Sequence, residues 1–365
     1  MRSFAIWYDK KETASSSEPI IDIHINLWDE NICGGKRKKV YIDFGFMIKN
    51  PIDDKDDNLI EKIEQINLYC PFAVQQENVT DLGKEIYAHD ELVNAIFNED
   101  YKLVKGIARY LCVDVRDKQQ SKSRKNFIIY QLKEENFSFK QIADHGTLVS
   151  LKISNVFPAD SHDSHEDLKN FRQYYFRFRL CADAKDLRFI SREPKNLSLF
   201  QDAFIETQLI DFRLNSLRSC NSEIKDSFAK GNHFEINAVH YLVLRKASDE
   251  LSYHGSTKLS SRLMENELWS QYINGLDKNV VAYHFKEIAS KEKILEEFVI
   301  LTRFEYKKNK WFLVSKYTLI VVLLGAVSSL LASWINESFS GYISIILFVA
   351  FLLLVFLPSF DEPDN

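Results

Sequence analysis

The chain has 365 residues, 45% of them hydrophobic and 27% charged, with 47 Lys and Arg against 52 Asp and Glu for a net charge of −5. Four acidic residues lie beyond Lys316, so residues 1–316 carry only −1, which argues against bulk electrostatic binding of nucleic acid. Cys33, Cys70, Cys112, Cys181 and Cys220 are odd in number, widely spaced and free of any CxxC pair, so they suggest neither a disulfide framework nor a zinc ribbon.

The start, MRSFAIWYDKKE, holds an apolar stretch too short for a signal peptide. Strand text follows. Ile21, Ile23, Ile25 and Leu27 alternate with Asp22, His24, Asn26 and Trp28, and Val40, Ile42, Phe44, Phe46 and Ile48 alternate in the next run. Period-two patterns of this length mark half-buried strands, and the Gly34-Gly35 turn between them predicts a hairpin. A third strand is expected at 66–74, helix from Asp81 through Phe97, a basic surface loop over 116–125, and further strands at 127–132 and 146–156. The turn-rich FPADSHDSHED reads as a domain boundary. Beyond it come the strand QYYFRFRLC, helix from Leu197 to about Ser219, and the strand HFEINAVHYLVLR.

From about Val281 the text reads as helix. Phe285, Ile288, Leu295 and Phe298 fall on one face, with Glu287–Lys291 and Lys293–Glu297 as i,i+4 pairs. Residues 317–335 and 342–357 are then uncharged apolar runs joined by NESFSG. A bilayer core of about 30 Å needs roughly 20 such residues. The pattern predicts a two-helix transmembrane hairpin. Arg303, Lys307, Lys308, Lys310 and Lys316 crowd its approach, which places both termini in the cytoplasm by the positive-inside rule. The expected organisation is α+β: a strand-rich domain over 1–157, a second α+β domain over 168–280, a helical stalk over 281–316, spans at 317–335 and 342–357, and a cytoplasmic tail at 358–365.

Motifs for catalysis are sparse. Gly34-Gly35-Lys36 resembles the end of a phosphate loop, but Arg37 replaces the Ser or Thr that would take magnesium, so a hairpin turn is the better reading. His162, His165 and Glu166 have ligand chemistry but sit in a polar linker without a Cys partner, so a solvated loop is the better reading. On QYYFRFRLC, Tyr174, Phe176, Phe178 and Leu180 share one face, and Tyr175, Arg177, Arg179 and Cys181 the other. Arg177 and Arg179 beside aromatics suit a base-stacking, phosphate-binding platform for a partner. An aromatic core face backed by ion-paired arginines accounts for the same pattern. Gly325, Ser329 and Ser333 recur every four residues, as at a helix-packing, oligomer or pore seam. No catalytic, cofactor-binding or metal residue is assigned.

Two resemblances follow from these features. The layout of body, long helix and two spans is similar to CorA-type channels, although Trp334-Ile335-Asn336 stands where that family carries Gly-Met-Asn. The phrases IDFGFMIKNP, YCPF, and DLGKEI followed by AIFN resemble the two-span transmembrane effectors of retron-type bacterial anti-phage systems. The second resemblance implies a multi-pass inner-membrane protein without enzymatic activity. Its partners would be the membrane, copies of itself, and a reverse transcriptase with its single-stranded DNA, and on infection it would disrupt the membrane. The alternatives are a ligand-gated cation channel and a membrane-tethered enzyme.

Overall fold

The alternating runs of the N-terminal third become neighbouring strands of one large sheet. The computed structural model describes residues 3–11, 18–32, 39–50, 59–89, 91–97, 101–105, 110–115, 127–142, 146–153, 173–194, 205–255, 258–290, 294–307, 311–336, 346 and 349–350. In chain order its first half comprises β1 (Ala5–Lys10), β2 (Ile20–Trp28), β3 (Lys39–Lys49), α1 (Leu59–Lys62), β4 (Ile63–Cys70), β5 (Val79–Asp81), α2 (Gly83–Ala88), α3 (Glu91–Phe97), β6 (Tyr101–Lys105), β7 (Tyr110–Val115), β8 (Phe127–Tyr130), β9 (Phe137–Ile142) and β10 (Gly146–Lys152). The second half adds β11 (Gln173–Asp183), β12 (Ile190–Pro194), β13 (Ile205–Leu214), α4 (Ser222–Lys230), β14 (Glu235–Lys246), β15 (Glu250–His254), β16 (Leu259–Leu263), α5 (Asn266–Tyr272), β17 (Val280–Ile288), β18 (Phe298–Lys307) and α6 (Trp311–Asn336).

The large sheet runs β16-β17-β14-β2-β3-β11-β8-β7-β6, with β5 also on β11. Two smaller sheets, β1-β4-β10-β9 and β12-β13-β18-β15, complete the described strands. The predicted hairpin is present: β2 and β3 pair antiparallel, with Ile25 opposite Phe44. Because side chains alternate across a strand, Ile21, Ile23, Ile25, Phe44, Phe46, Phe176 and Phe178 all reach one face. There they join Ile66 and Leu68 of β4, Phe212 of β13 and Phe304 of β18 in a single apolar core. Against the opposite face, α2, α3 and α5 lay Leu82, Ile86, Leu92, Val93, Trp269 and Tyr272 over Trp28, Met47 and Tyr175. Helix α4 covers the outer side of the β1–β4 sheet through Ile224, beside Trp7 and Tyr69.

Several expectations are corrected by this architecture. The division into domains at 1–157 and 168–280 does not hold, since β3 pairs with β11 and β2 pairs parallel with β14. Sheet pairing is non-local, and a polar linker in the sequence says nothing about which strands meet across it. The chain instead falls into one unit of residues 1–193 and 208–305 and another of 194–207 and 306–365. The helix expected over 197–219 gives way to β13, with residues 195–204 outside the described set. The stalk over 281–316 is also corrected. Residues 280–288 and 298–307 are strands, and among its described residues only the end, from Trp311, is helical. Its i,i+3 spacing is real, but Val281–Ile288 also supports alternation, and nine residue pairs with β14 decide in favour of strand.

The two-helix transmembrane hairpin is overturned as well. Among the described residues no helix is long and apolar enough to cross a membrane. The second span at 342–357 lies outside the described residues except for 346 and 349–350. The assignment to the bacterial inner membrane as a multi-pass protein with cytoplasmic termini falls with the hairpin. The Gly34-Gly35-Lys36 turn, the 116–125 loop, and His162, His165 and Glu166 also lie outside the described residues.

Strand and stalk make different demands on Phe285. Its side chain is fully buried in the main core. Phe285→Ala is expected to destabilise the fold by about 3–5 kcal/mol, the range for emptying an aromatic core site. Equilibrium urea unfolding followed by tryptophan fluorescence measures this, and a stability unchanged within error would contradict the strand.

Candidate functional site

The face of the large sheet turned toward α2, α3 and α5 carries charge where a core would ordinarily be apolar. Strands β2, β3 and β11 run side by side there, with Asn26 opposite Asp43 and Asp43 opposite Arg179. Asp43 is completely buried, Arg177 is 1% exposed and Arg179 8%. Asp43 Oδ1 accepts from Arg179 Nε at 2.6 Å, and its Oδ2 accepts from Arg179 Nη2 at 3.0 Å. That same Oδ2 also accepts from Trp28 Nε1 at 2.8 Å and from the Tyr272 hydroxyl at 2.9 Å. The bidentate fork fixes the arginine plane, and the two neutral donors satisfy the remaining lone pairs. Flat faces enclose the fork, since the Arg179 guanidinium carbon lies 4.8 Å from the Tyr272 ring centre and 5.6 Å from that of Trp28.

Arg177 sits one step along the same face. Its Nε donates to the Tyr272 hydroxyl at 2.7 Å and its Nη1 to the Tyr175 hydroxyl at 2.7 Å, while its Nη2 is 3.8 Å from Asp43 Oδ2. With the Asn26 amide turned to suit its neighbours, Asn26 Oδ1 accepts from Arg177 Nη2 at 2.8 Å. Two cations thus share one carboxylate, and the surplus charge is spread over neutral oxygens. Burial pushes the Tyr175 and Tyr272 hydroxyls above their ordinary range, so both keep their protons as donors. Gly45 makes room for this arrangement. A Cβ there would lie 2.2 Å from the Tyr175 hydroxyl oxygen.

Three imidazoles continue the layer across β2, β14 and β17. The ring centres of His24 and His240 are 4.9 Å apart, and those of His240 and His284 are 5.2 Å apart. His284 Nε2 and His240 Nδ1 share a hydrogen bond of 3.2 Å, and His24 Nδ1 lies 3.2 Å from the Tyr175 hydroxyl. Burial, first of all, holds each imidazole below its usual value, with His240 at about 4. Among the described residues no group of three or more His, Cys, Asp and Glu could hold a metal ion.

A third buried cation, Arg245, lies on β14 of the same sheet. Arg245, fully buried, pairs with Asp29 at 2.9 Å and Asp249 at 2.8 Å, with its guanidinium carbon 4.9 Å from the Phe304 ring centre. Beside it, Asp249, Glu250, His254, Leu259 and Tyr283 line an open groove of about 460 Å³. The buried carboxylate of that groove, Asp249, is already engaged by Arg245, so the pair ties β14 to the strands around it.

The residues singled out from sequence are distributed as follows. Arg177 and Arg179 share a face as expected, but that face lies under helices and both guanidinium groups are taken up by partners within the chain. Gly325, Ser329 and Ser333 lie on α6; among the described residues a Cβ on Gly325 would meet nothing within 4 Å, and the Ser333 hydroxyl donates to the Ser329 carbonyl of its own helix at 3.1 Å. Asp43 and Tyr272 were missed. A lone Asp in an alternating strand reads as solvated, and the clue beside it was Gly45, since glycine inside a strand signals close approach by another group. No protein-family model matches the chain, and no curated protein matches it.

Two substitutions test the charged layer. Asp43→Asn should cost about 3–5 kcal/mol, because it leaves two buried guanidinium groups without their carboxylate. Gly45→Ala should cost about 1–3 kcal/mol by driving a methyl group into the Tyr175 hydroxyl. Thermal and urea unfolding of both variants measure these losses, and wild-type stability in either would show that the layer is dispensable.

Proposed function

We propose that this protein is a non-enzymatic effector of a bacterial anti-phage system, in which the β-rich body is the regulatory part and α6 acts by bringing several copies of the chain together. The observation that carries this reading is the apolar surface of α6. Val314, Leu319, Val321, Val322, Leu324 and Leu331 are all exposed, Val321 by 67%. These positions are spread around the helix rather than along one stripe, and among its described residues only Ile320 and Val327 are buried hydrophobics. A helix apolar all round needs cover on more than one side. A two-fold pairing covers one side, whereas a bundle of several copies covers most of them. Gly325 adds a point where a neighbouring helix can approach closely, since nothing among the described residues lies within 4 Å of a Cβ placed there.

The defence assignment is supported by the phrases IDFGFMIKNP, YCPF and DLGKEI and their resemblance to retron-type effectors. In this reading a reverse transcriptase with its single-stranded DNA restrains the body until infection. Its contact surface lies elsewhere than Arg177 and Arg179, which are occupied inside the fold. The membrane-disrupting step implied by the resemblance depended on the hairpin and is set aside with it.

Gly325→Leu and Val321→Asp separate assembly from folding, because both positions are exposed. The full chain is expected to run as a multimer of more than two copies by light scattering and native mass spectrometry. Val321→Asp should weaken association by at least about tenfold, from burying an unpaired charge, and should abolish growth arrest on expression. Gly325→Leu should shift the multimer and reduce arrest. A wild-type chain that arrests growth as a monomer, or that leaves solution as a monomer on lipid vesicles, overturns the reading.

A further inference from the structure

We infer that the row His24–His240–His284 is a proton-operated latch, in which protonation of these imidazoles releases α3 and α5 from the large sheet. Arg177 Nη1 can only donate, so the Tyr175 oxygen accepts from it at 2.7 Å and the single Tyr175 proton is free to point at His24 Nδ1, 3.2 Å away. His24 therefore accepts at Nδ1. Between His284 Nε2 and His240 Nδ1, one nitrogen donates and the other accepts. The row is satisfied only while its accepting nitrogens, His24 Nδ1 and one of the His240–His284 pair, carry no proton. A proton added at His24 Nδ1 sets two donors face to face and leaves the Tyr175 hydroxyl proton without an acceptor. A proton added to the acceptor of the His240–His284 pair does the same there.

The surroundings favour the neutral state. From β11 comes Arg177, already in excess over its carboxylate; from β3, Lys49, paired to Asp22 of β2; from β17, Lys286; and from β16, Arg262. Asp22, the anion in this set, is held by Lys49 and by Asn237 Nδ2 at 2.6 Å. Each added proton would thus enter a neighbourhood that is already cationic.

The same groups hold the helices. Phe97 at the end of α3 packs its ring 5.5 Å from that of His24 and 4.9 Å from that of Tyr175, and Arg262 Nη2 donates to the Ala95 carbonyl of α3 at 3.0 Å. Helix α5 is attached through Tyr272, which accepts from Arg177 and donates to Asp43. Displacing Tyr175 from His24 disturbs Arg177 and Phe97 together, and through them both helices. The direction in pH follows. The folded imidazoles titrate below the unfolded value of about 6.5, His240 at about 4. As pH falls through that interval, the open form takes up protons that the closed form refuses, and the closed form loses stability.

Hydrogen–deuterium exchange on the full chain at about pH 7.5 and about pH 5, corrected for intrinsic rates, tests the latch. Peptides from α3 and α5 are expected to exchange at least about tenfold faster at the lower pH, with β3 and β11 unchanged. His24→Gln combined with His240→Gln should bring that ratio close to one. Equal protection of α3 and α5 at both pH values, or a ratio that survives the double substitution, overturns the proposal. Asp81, pushed up to about 6 by burial at the head of α2, titrates in the same interval with the opposite sign. Asp81→Asn must therefore leave the ratio intact, and its loss in that variant would move the switch to Asp81 and overturn the latch. Should the double variant not fold, imidazole C2-proton exchange in the wild type decides. Midpoints below the ordinary value that coincide with helix opening support the latch, and unshifted midpoints with the helices closed refute it.

Discussion

Asp43 is the group around which the large sheet and its helical cover are arranged. One carboxylate at the centre of β3 receives the guanidinium fork of Arg179 from β11, the indole of Trp28 from β2 and the hydroxyl of Tyr272 from α5. Three strands and a helix therefore converge on two oxygen atoms. Taking such charges out of water costs several kcal/mol each, and geometry of this quality is what offsets it. The layer is thus weak evidence for high stability and stronger evidence for a defined arrangement, because any other strand register would bury an arginine without its acceptor.

That constraint explains the division of labour between the two faces of the sheet. One face is a run of Ile, Phe and Tyr packed on the smaller sheets, where shape alone selects partners and many combinations of similar volume would serve. The other is polar and directional, with each donor matched to one acceptor. Apolar packing supplies most of the stabilisation, and the polar layer specifies register and holds the helices in place.

Much of the sheet was legible in the sequence because alternation is a local signal. The runs at 21–27, 40–48 and 174–180 appear as β2, β3 and β11 with the expected inward faces. The charged layer was legible only by half: Arg177 and Arg179 were seen to share a face, but alternation cannot tell whether the second face meets water or another layer. The carboxylate that answers them lies 136 residues from Arg179 in the chain and the tyrosine 93 residues away, beyond the reach of any spacing rule. The stretch after 281 was misread because Phe285, Ile288, Leu295 and Phe298 satisfy helical spacing while β14 offers a partner for every residue of β17. Tertiary pairing overrides local preference in such segments.

The parallel pairing of β2 with β14 also bears on how the chain is made. Ile20 lies beside Glu235 and Trp28 beside Leu244, so the two strands are separated by more than two hundred residues of intervening chain. During synthesis at about 5–20 residues per second, β2 has to wait roughly 10–40 seconds before its neighbour leaves the ribosome. The β2–β3 hairpin can close early, but one of its edges then stays open, with a row of backbone donors and acceptors and an apolar face behind it. Exposed edges of this kind invite pairing with the wrong strand. The polar side chains on that edge of the hairpin, Asp22, His24 and Asn26, keep one face of the waiting strand wet until β14 arrives.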